Sequence, residues 1–410
     1  MKHNQYGILS VPVIVAALGY FVDIYDLLLF SIIRVPSLAS LGLSKAMILT
    51  EGEKIIMWQM AGLLIGGIIW GIMGDKRGRL SVLFGSIVLY SLANIANGFV
   101  QTADQYAWIR FIAGLGLAGE LGAGITLVSE ITPKEKRGIA TSLVAGVGLT
   151  GAVVAFVVKE SFTDWRICYF VGGGMGLVLL LLRISVFESG MFHQVRNMNV
   201  QRGNFLMLFN NGERFRKYLF SILIGLPTWF VIGVLVTFSG EFGEKMGIKE
   251  KIDPGKAIMF AYVAISIGDI LVGLISQWFR SRKKALYLFY AITALFMLLF
   301  FTALWNGSAE AMYWICAGLG FGTGFWAIFV TMGAEQFGTN LRSTAATTIP
   351  NMVRGMLTVL ILPLFKGLRN FTGDYVMSGW ITAIILMAIT IIAIYCTKET
   401  FGKDLNYVEQ

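Results

Sequence analysis

Long apolar stretches separated by short polar segments recur along the whole chain. A helix needs about 20 apolar residues to cross a hydrocarbon core of about 30 Å, and about twelve stretches come close to that length. The pattern therefore predicts an all-α integral membrane protein. The predicted helices cover Ile8–Ile33, Ile55–Met73, Leu80–Val100, Tyr106–Val128, Ile139–Val158, Ile167–Leu182, Tyr218–Phe238, Ala257–Phe279, Ala285–Trp305, Ala311–Ala334, Ser343–Phe365 and Tyr375–Cys396.

The composition agrees with lipid as the main solvent. Of the 410 residues, 56% are hydrophobic and 14% are charged, whereas charged residues make up about 25% of a soluble domain. The first apolar stretch contains Asp23 and Asp26 and exceeds the apolar region of a secretory signal peptide, which is about 7–15 residues long. We therefore expect this stretch to remain in the protein as its first membrane helix.

Catalytic and metal chemistry have little support in the sequence. The three cysteines, Cys168, Cys316 and Cys396, lie in or at the ends of predicted helices without the spacing of a disulfide framework. The two histidines, His3 and His193, lie in the N-terminal tail and in a loop. Because these residues form no nucleophile–base or metal-ligand set, we expect neither an enzyme nor a bound metal or cofactor.

The distribution of basic residues predicts the orientation of the chain. Twenty of the 33 lysines and arginines fall in the tails and in the loops on the side of both termini, 11 fall in the opposite loops and two fall within predicted helices. Cytoplasmic loops carry such an excess, so we expect both termini in the cytoplasm and the chain in a bacterial inner membrane. No basic stripe with interleaved aromatic residues is present, so nucleic acid is not an expected partner.

The chain divides into two halves of six predicted helices each. We expect an N-terminal bundle over residues 1–186, a cytoplasmic loop over 187–217 and a C-terminal bundle over 218–410. Glu130 precedes Arg137 by seven residues after the fourth helix, and Glu335 precedes Arg342 by seven residues after the tenth. This echo is typical of transporters built from repeats.

Five short motifs carry a resemblance to the major facilitator superfamily. The basic loop Gly71–Arg79 (GIMGDKRGR) resembles the signature loop of that superfamily. Arg110–Glu120 (RFIAGLGLAGE) and Asp23–Asp26 (DIYD) resemble motifs of its metabolite:proton symporter branch. Asp164–Arg166 (DWR) and Glu335–Arg342 (EQFGTNLR) are similar to motifs shared by that branch and the sugar porters. The resemblance implies two pseudo-symmetric six-helix bundles that rock around a site at the membrane midplane.

Ionisable residues near helix centres are costly in a bilayer and are candidate functional groups. Asp26 and Arg110 lie at similar predicted depths, so they are expected to pair between the first and fourth helices. The resemblance implies that such an acid exchanges its arginine partner for a proton during transport. Asp23 lies three residues from Asp26, and Glu120 lies deeper than Arg110. These four residues are the predicted proton-coupling set, although a purely structural ion pair remains the alternative.

The second half offers the predicted substrate-binding residues. Asp269 and Arg354 match in predicted depth, so they are expected to pair unless Arg354 binds substrate. A guanidinium recognises a carboxylate through two parallel hydrogen bonds, and this would make the substrate an anion or a zwitterion. Asn351 stands one turn before Arg354 and can add a hydrogen bond. The other candidate cavity residues are aromatic, with packing against lipid or in the protein core as the alternative: Tyr25, Trp229, Phe325 and Trp326.

Acidic and basic residues at the predicted cytoplasmic helix ends form a candidate gate. Ion pairs between them would hold the cytoplasmic side shut, although the basic members can also anchor to anionic lipid. The predicted gate consists of Asp75, Arg79, Glu130, Arg137, Glu335 and Arg342.

The sequence therefore predicts a monomeric secondary transporter that takes up a small organic anion or zwitterion together with protons. Its expected partners are the solute, protons and membrane lipid. A sugar or polyol porter, a uniporter or exchanger, and a membrane receptor that binds a solute without moving it are the alternatives.

Overall fold

The computed structural model describes residue 7 and residues 9–133, 136–185 and 203–409, without the side chains of residues 45, 46, 49 and 53. Within these ranges the chain forms twelve helices that are long and apolar enough to cross a membrane. We number them α1 Val11–Ser40, α2 Thr50–Arg77, α3 Arg79–Asn97, α4 Ala103–Ile131, α5 Arg137–Ser161, α6 Trp165–Leu182, α7 Gly212–Val236, α8 Pro254–Phe279, α9 Arg282–Ala303, α10 Ala309–Glu335, α11 Arg342–Thr372 and α12 Tyr375–Cys396.

The predicted all-α membrane fold is confirmed, and the largest differences lie at helix ends. Helix α1 continues to Ser40 rather than ending at Ile33, because Arg34 is only 7% exposed and Ser37 donates a hydrogen bond to its carbonyl. Ile8 lies outside the described residues. Most of the predicted central loop, 187–217, also lies outside them, and α7 begins within its last part at Gly212.

The helices pack as two bundles of six, α1–α6 and α7–α12. In the first bundle α4 packs on α2 and α3, and α1 packs on α5 and α6; in the second, α10 packs on α8 and α9, and α12 packs on α7 and α11. The bundles meet where α2 lies against α11 and where α5 lies against α8. A Cβ atom at Gly71 of α2 would lie 3.0 Å from the Thr344 Cα of α11, so a larger residue there would force the two helices slightly apart.

The two ends of the molecule differ. We call the end that carries the start of α1 and the segment after α12 the terminal face, and the opposite end the far face. The turn between α2 and α3 lies on the terminal face at Gly78, whose φ of 104° excludes most other residues. On the far face, Trp165 Nε1 donates to Ser40 Oγ at 2.8 Å and ties α6 to α1.

Several spans are not continuous α-helices. Helix α4 is broken between Leu117 and Glu120, and α10 is broken at the corresponding place between Thr323 and Trp326. Short π-helical segments, Val231–Val236 and Leu357–Ile361, interrupt α7 and α11. Breaks and π-turns of this kind concentrate at functional sites, and all four lie in helices that face the centre of the protein.

The segment after α12 lies along the terminal face. The Thr339 N–H donates to the Tyr407 carbonyl at 2.8 Å, and the Tyr407 hydroxyl donates to the Gln336 carbonyl at 2.8 Å. Burial disfavours the ionised Glu399 carboxylate, but hydrogen bonds from the Ser281 hydroxyl and from nearby backbone N–H groups outweigh burial and hold the pKa of Glu399 below its ordinary value. The segment therefore binds the loops before α9 and α11.

Candidate substrate and coupling site

A narrow pocket lies between the two bundles near the middle of the helices, with about 290 Å³ of empty space that includes its opening to solvent. Both bundles contribute to it, through α1 and α5 on one side and through α7, α8, α10 and α11 on the other. Most of its wall is aromatic or aliphatic, which suits a small ligand with a flat apolar part. The lining residues are Tyr20, Ile24, Leu149, Thr228, Trp229, Tyr262, Ile265, Trp326 and Arg354.

The polar atoms of this pocket are mostly hydrogen-bond donors without acceptors. The Nε1 atoms of Trp229 and Trp326, the Nε atom of Arg354 and the Thr228 hydroxyl are all buried, and none has a partner among the described residues. An indole N–H and a guanidinium N–H can only donate. A buried donor without a partner costs about 1–3 kcal/mol, so the pocket favours a ligand that supplies acceptor oxygens.

Arg354 is held in place by its neighbours on the C-terminal side of the pocket. Its Nη1 donates to Asn351 Oδ1 at 3.2 Å, while Asn351 Nδ2 donates to the Ala118 carbonyl at the break in α4 at 2.8 Å. The Trp326 ring lies 5.9 Å from the guanidinium carbon, in range of a cation–π contact. Asn351 therefore orients Arg354 and does not line the pocket itself.

Arg354 also faces an acid of the other bundle. Its Nη2 lies 4.0 Å from Asp23 Oδ2, and both side chains are buried. Neither oxygen of Asp23 accepts a hydrogen bond from the described residues. The two groups thus form a loose ion pair across the bundle interface.

Asp26 and Arg110 form the predicted pair between α1 and α4. Arg110 Nη1 donates to Asp26 Oδ1 at 2.6 Å, and Nη2 donates to the Asp26 carbonyl at 2.9 Å. Gln59 and Asn94 also accept hydrogen bonds from Arg110. The pairing is therefore confirmed, while its part in proton coupling stays a prediction.

The expected pairing of Asp269 with Arg354 is wrong for this structure. Asp269 Oδ1 accepts the backbone N–H of Ala327 at 2.9 Å, in the first turn of the second part of α10. Free N–H groups and the positive end of the helix dipole stabilise a carboxylate there. The sequence did not predict the break in α10. Because of this break, Asp269 binds the helix segment that carries Trp326 and does not pair with Arg354.

Two other predicted residues lie away from the pocket. Tyr25 packs inside the N-terminal bundle and donates to the Cys168 carbonyl at 2.8 Å, because it is rotated away from the face that Tyr20 and Ile24 share. Glu120 forms a buried ion pair with Arg183, just after α6. The predicted role of Glu120 as a proton site stays a prediction, now with a counter-ion that sequence reasoning missed.

Ion pairs close the terminal face. Glu130 of α4 accepts from Arg79 at 2.8 Å and from Arg342 of the other bundle at 3.2 Å. Glu335 of α10 lies 3.7 Å from Arg137 of the other bundle. It also lies 3.2 Å from Arg282, which the predicted gate did not include.

Asp75 adds a further link between the bundles at this face. Its carboxylate accepts the backbone N–H groups of Ser343 at 3.1 Å and of Thr344 at 2.8 Å, so it caps α11 from α2. Arg79 lies 3.6 Å from Asp75. All six predicted gate residues thus meet in this region, and contacts of Glu130, Glu335 and Asp75 join opposite bundles.

A cleft lies between the two bundles on the side of the far face. About 620 Å³ of empty space extends towards the far face between the far halves of α1, α2, α7 and α11. Trp229 lines both this cleft and the pocket. The protein is therefore closed at its terminal face and retains space on the far side of the pocket.

Sequence reasoning missed several residues of the pocket. Tyr20 stands three residues before Asp23, which places both on one face of α1, and this spacing could have identified it. Thr228 follows Pro227 near the start of the π-helical part of α7, and no charge or motif marked it. Outside the pocket, Arg183 directly follows α6 in a basic loop, and its burial against Glu120 could not be predicted.

Solved structures share this architecture, and named transporters are similar to this chain in sequence. The structure of the proton:xylose symporter XylE bound to 6-bromo-6-deoxy-D-glucose superposes with a TM-score of 0.76 at 16% identity, covering 97% of each chain. The niacin transporter NiaP of Acinetobacter baylyi is 25% identical over 96% of this chain and 95% of its own length. The gentisate transporter of Corynebacterium glutamicum is 23% identical over 93% and 86%, respectively.

The family profile described as Major Facilitator Superfamily matches residues 16–360, which span most of the twelve helices and every residue of the pocket. With two six-helix bundles, a pocket between them and ion pairs across one face, this chain belongs to the Major Facilitator Superfamily and is a transporter.

Proposed function

We propose that this transporter takes up a small organic anion, specifically an aromatic carboxylate, together with protons. The pocket carries the proposal: two indole N–H groups, one hydroxyl and the Nε of one guanidinium lack acceptors and surround a mostly aromatic space. A carboxylate supplies acceptor oxygens to those groups, and an aromatic ring fills the space between Tyr20, Tyr262 and Trp326.

The substrates of the relatives support this choice. Niacin and gentisate are both aromatic rings that bear a carboxylate, and the transporters named for them match this chain almost from end to end. The sugar symporter shares the fold at 16% identity, which carries no argument about substrate. An anionic substrate would pair with the positive charge of Arg354, whereas a neutral sugar would not.

The excess of Lys and Arg on the terminal face orients the chain with that face in the cytoplasm of a bacterial inner membrane. The closed terminal face and the far cleft then correspond to a carrier shut towards the cytoplasm. Transport follows when the pairs of Glu130 and Glu335 part and the far cleft closes, so that a single pocket serves both sides in turn. One chain contains the complete pocket, so we propose that a monomer transports.

Protons enter this cycle through the buried acids. Asp23, Asp26 and Glu120 are the candidates in the N-terminal bundle, with Arg110 as the counter-ion of Asp26. A neighbouring arginine favours the ionised carboxylate, whereas removal from water favours the protonated one. A change of water access during rocking can therefore load and release a proton.

The direct test is uptake by purified protein in proteoliposomes under an inward proton gradient, with a pH-sensitive dye inside. Radiolabelled nicotinate, gentisate, xylose and glycine betaine are compared, and protein-free liposomes correct for passive diffusion of the acids. We expect accumulation and internal acidification with the aromatic carboxylates alone.

Other outcomes point to the other functions. Proton-driven uptake of xylose would mean that the substrate is a sugar and not an aromatic carboxylate. Uptake without movement of protons would make the protein a uniporter or exchanger. Tight binding of a solute without any uptake would indicate a receptor.

A further inference from the structure

Arg354 presents an unused edge to the pocket. Its Nη1 atom is occupied by Asn351, whereas Nε has no partner among the described residues and Nη2 makes only the 4.0 Å contact with Asp23. Nε and Nη2 form one of the edges through which a guanidinium donates two parallel hydrogen bonds to a carboxylate. Among the described residues, no carboxylate therefore lies within hydrogen-bond distance of this edge.

Asp23 is a buried acceptor without donors, just as the free edge of Arg354 is a donor without an acceptor. Its carboxylate is buried and accepts no hydrogen bond from the described residues, and it lies too far from Arg354 for a direct one. The titratable and charged groups that face it, from its own helix and from the helices packed against it, are Tyr20, Asp26, Tyr90, Glu120, Arg183 and Arg354.

The other buried ion pairs near Asp23 are already joined by direct hydrogen bonds. Arg110 makes direct hydrogen bonds to Asp26, and Arg183 makes direct hydrogen bonds to Glu120. Protonating either acid would leave a buried arginine without its counter-charge, which costs several kcal/mol. Of these three ion pairs among the described residues, the pair of Asp23 and Arg354 can change partners at the least cost, because no hydrogen bond joins the two side chains and Arg354 lines the pocket.

We propose that Asp23 occupies the place of the substrate carboxylate as the counter-ion of Arg354, and that it gives up this place by taking one proton. In the empty carrier, ionised Asp23 balances Arg354. When substrate binds, its carboxylate forms the two hydrogen bonds to Nε and Nη2, and Asp23 becomes neutral by binding a proton. The buried charge is the same before and after, so one monocarboxylate and one proton cross together without net charge.

This inference rests on the proposed function and adds its stoichiometry and the identity of the proton-binding acid. Two consequences follow. Carboxylate affinity should fall about tenfold per pH unit above the range in which Asp23 becomes ionised, because one proton is taken up with each substrate. Uptake should respond to the pH gradient and not to the membrane potential.

The experiment measures gentisate uptake in proteoliposomes at a fixed pH gradient, with potentials of either sign set by potassium and valinomycin. Equal rates at all potentials support the proposal. Faster uptake at an inside-negative potential would show more than one proton per substrate and overturn the proposal, while leaving proton symport intact. Absence of any proton-driven uptake of gentisate and of nicotinate contradicts the proposed function itself.

A variant tests the acid directly. In Asp23→Asn, Arg354 has no competing carboxylate, so gentisate affinity should become independent of pH, exchange of internal for external gentisate should persist, and accumulation against a gradient should stop. The control is Asp104→Asn, which removes an exposed acid on the far face and should behave as the wild type. An unchanged pH dependence in Asp23→Asn would remove Asp23 from the coupling step, and the potential dependence of the wild type decides the stoichiometry even if this variant misfolds.

Discussion

The guanidinium of Arg354 on α11 faces the carboxylate of Asp23 on α1, with 4.0 Å between Nη2 and Oδ2. This is the point at which the charges of the two bundles meet beside the pocket. Each bundle alone would bury one of these charges without compensation, at a cost of several kcal/mol. The pair therefore couples the arrangement of the bundles to the charge state of the pocket, and an anionic substrate acts on both.

Replacing Arg354 by lysine should weaken carboxylate binding although the charge is kept. An ammonium group cannot form the two parallel hydrogen bonds of a guanidinium edge, and a hydrogen bond to a charged group contributes about 1.5–3 kcal/mol. We expect gentisate affinity, measured by calorimetry in detergent, to fall at least about tenfold. Arg369→Lys, at an exposed site on α11, is the matched control. Unchanged affinity in Arg354→Lys would exclude this residue from the site.

The indole donors of the pocket can be removed while an aromatic ring is kept. In Trp229→Phe and Trp326→Phe the N–H groups that lack partners are lost, so each variant should bind gentisate about tenfold more weakly if that N–H contacts the carboxylate. Trp314→Phe, on the lipid-facing side of α10 and 62% exposed, should leave binding as it is. Equal affinity in all three variants would mean that the carboxylate lies elsewhere.

The pair of Asp26 and Arg110 should behave as a structural unit. Asp26→Asn leaves Arg110 buried without a counter-charge, which is expected to destabilise the protein by about 3–5 kcal/mol. The double variant Asp26→Asn with Arg110→Gln removes both charges and should regain much of the lost thermal stability, measured as Tm in detergent. It should also retain proton-driven uptake. A stable Asp26→Asn protein that has lost only the proton drive would instead make Asp26 the acid that takes the coupled proton.

Glu130 should keep the terminal face closed, because it binds Arg79 and Arg342 from opposite bundles. Removing its charge in Glu130→Gln should favour opening by at least about 1 kcal/mol, a factor of about five in population. The measurement is the rate at which an impermeant maleimide labels Thr141→Cys, a buried position between the bundles, in protein with Cys396→Ser. Glu213→Gln removes an exposed acid at the same face and should not change the rate. Equal labelling rates in Glu130→Gln and Glu213→Gln would show that Glu130 does not hold the terminal face closed.

The features that the sequence predicted depend on one helix alone or on the depth of a residue along its helix. Apolar length predicted the twelve spans, and matching depths predicted the contact of Asp26 with Arg110. Charges at helix ends predicted that the gate residues, Glu130 and Arg342 among them, would gather at one face, because loops on one side of a membrane protein lie in one layer. These predictions need only the spacing along each helix and the direction in which it runs.

Contacts that depend on how helices rotate or break could not be predicted in the same way. Asp23 reaches Arg354 across the interface of two bundles, and its partner depends on how closely the bundles approach. Asp269 turns to the backbone of Ala327 because α10 is broken nearby, and the break itself comes from packing. The burial of Arg183 against Glu120 likewise depends on tertiary contacts of the segment after α6.

The polar composition of α11 has a consequence for the energetics of opening. In its terminal half, Thr344, Thr347, Thr348 and Asn351 are buried at or near the contact with the other bundle. Opening the terminal face brings these groups into water in place of a large apolar surface. Polar exposure lowers the heat capacity whereas apolar exposure raises it, so the two states of the carrier should differ little in heat capacity. The logarithm of the equilibrium constant between the two states should accordingly vary almost linearly with inverse temperature, as it does for a transition that exposes little hydrocarbon.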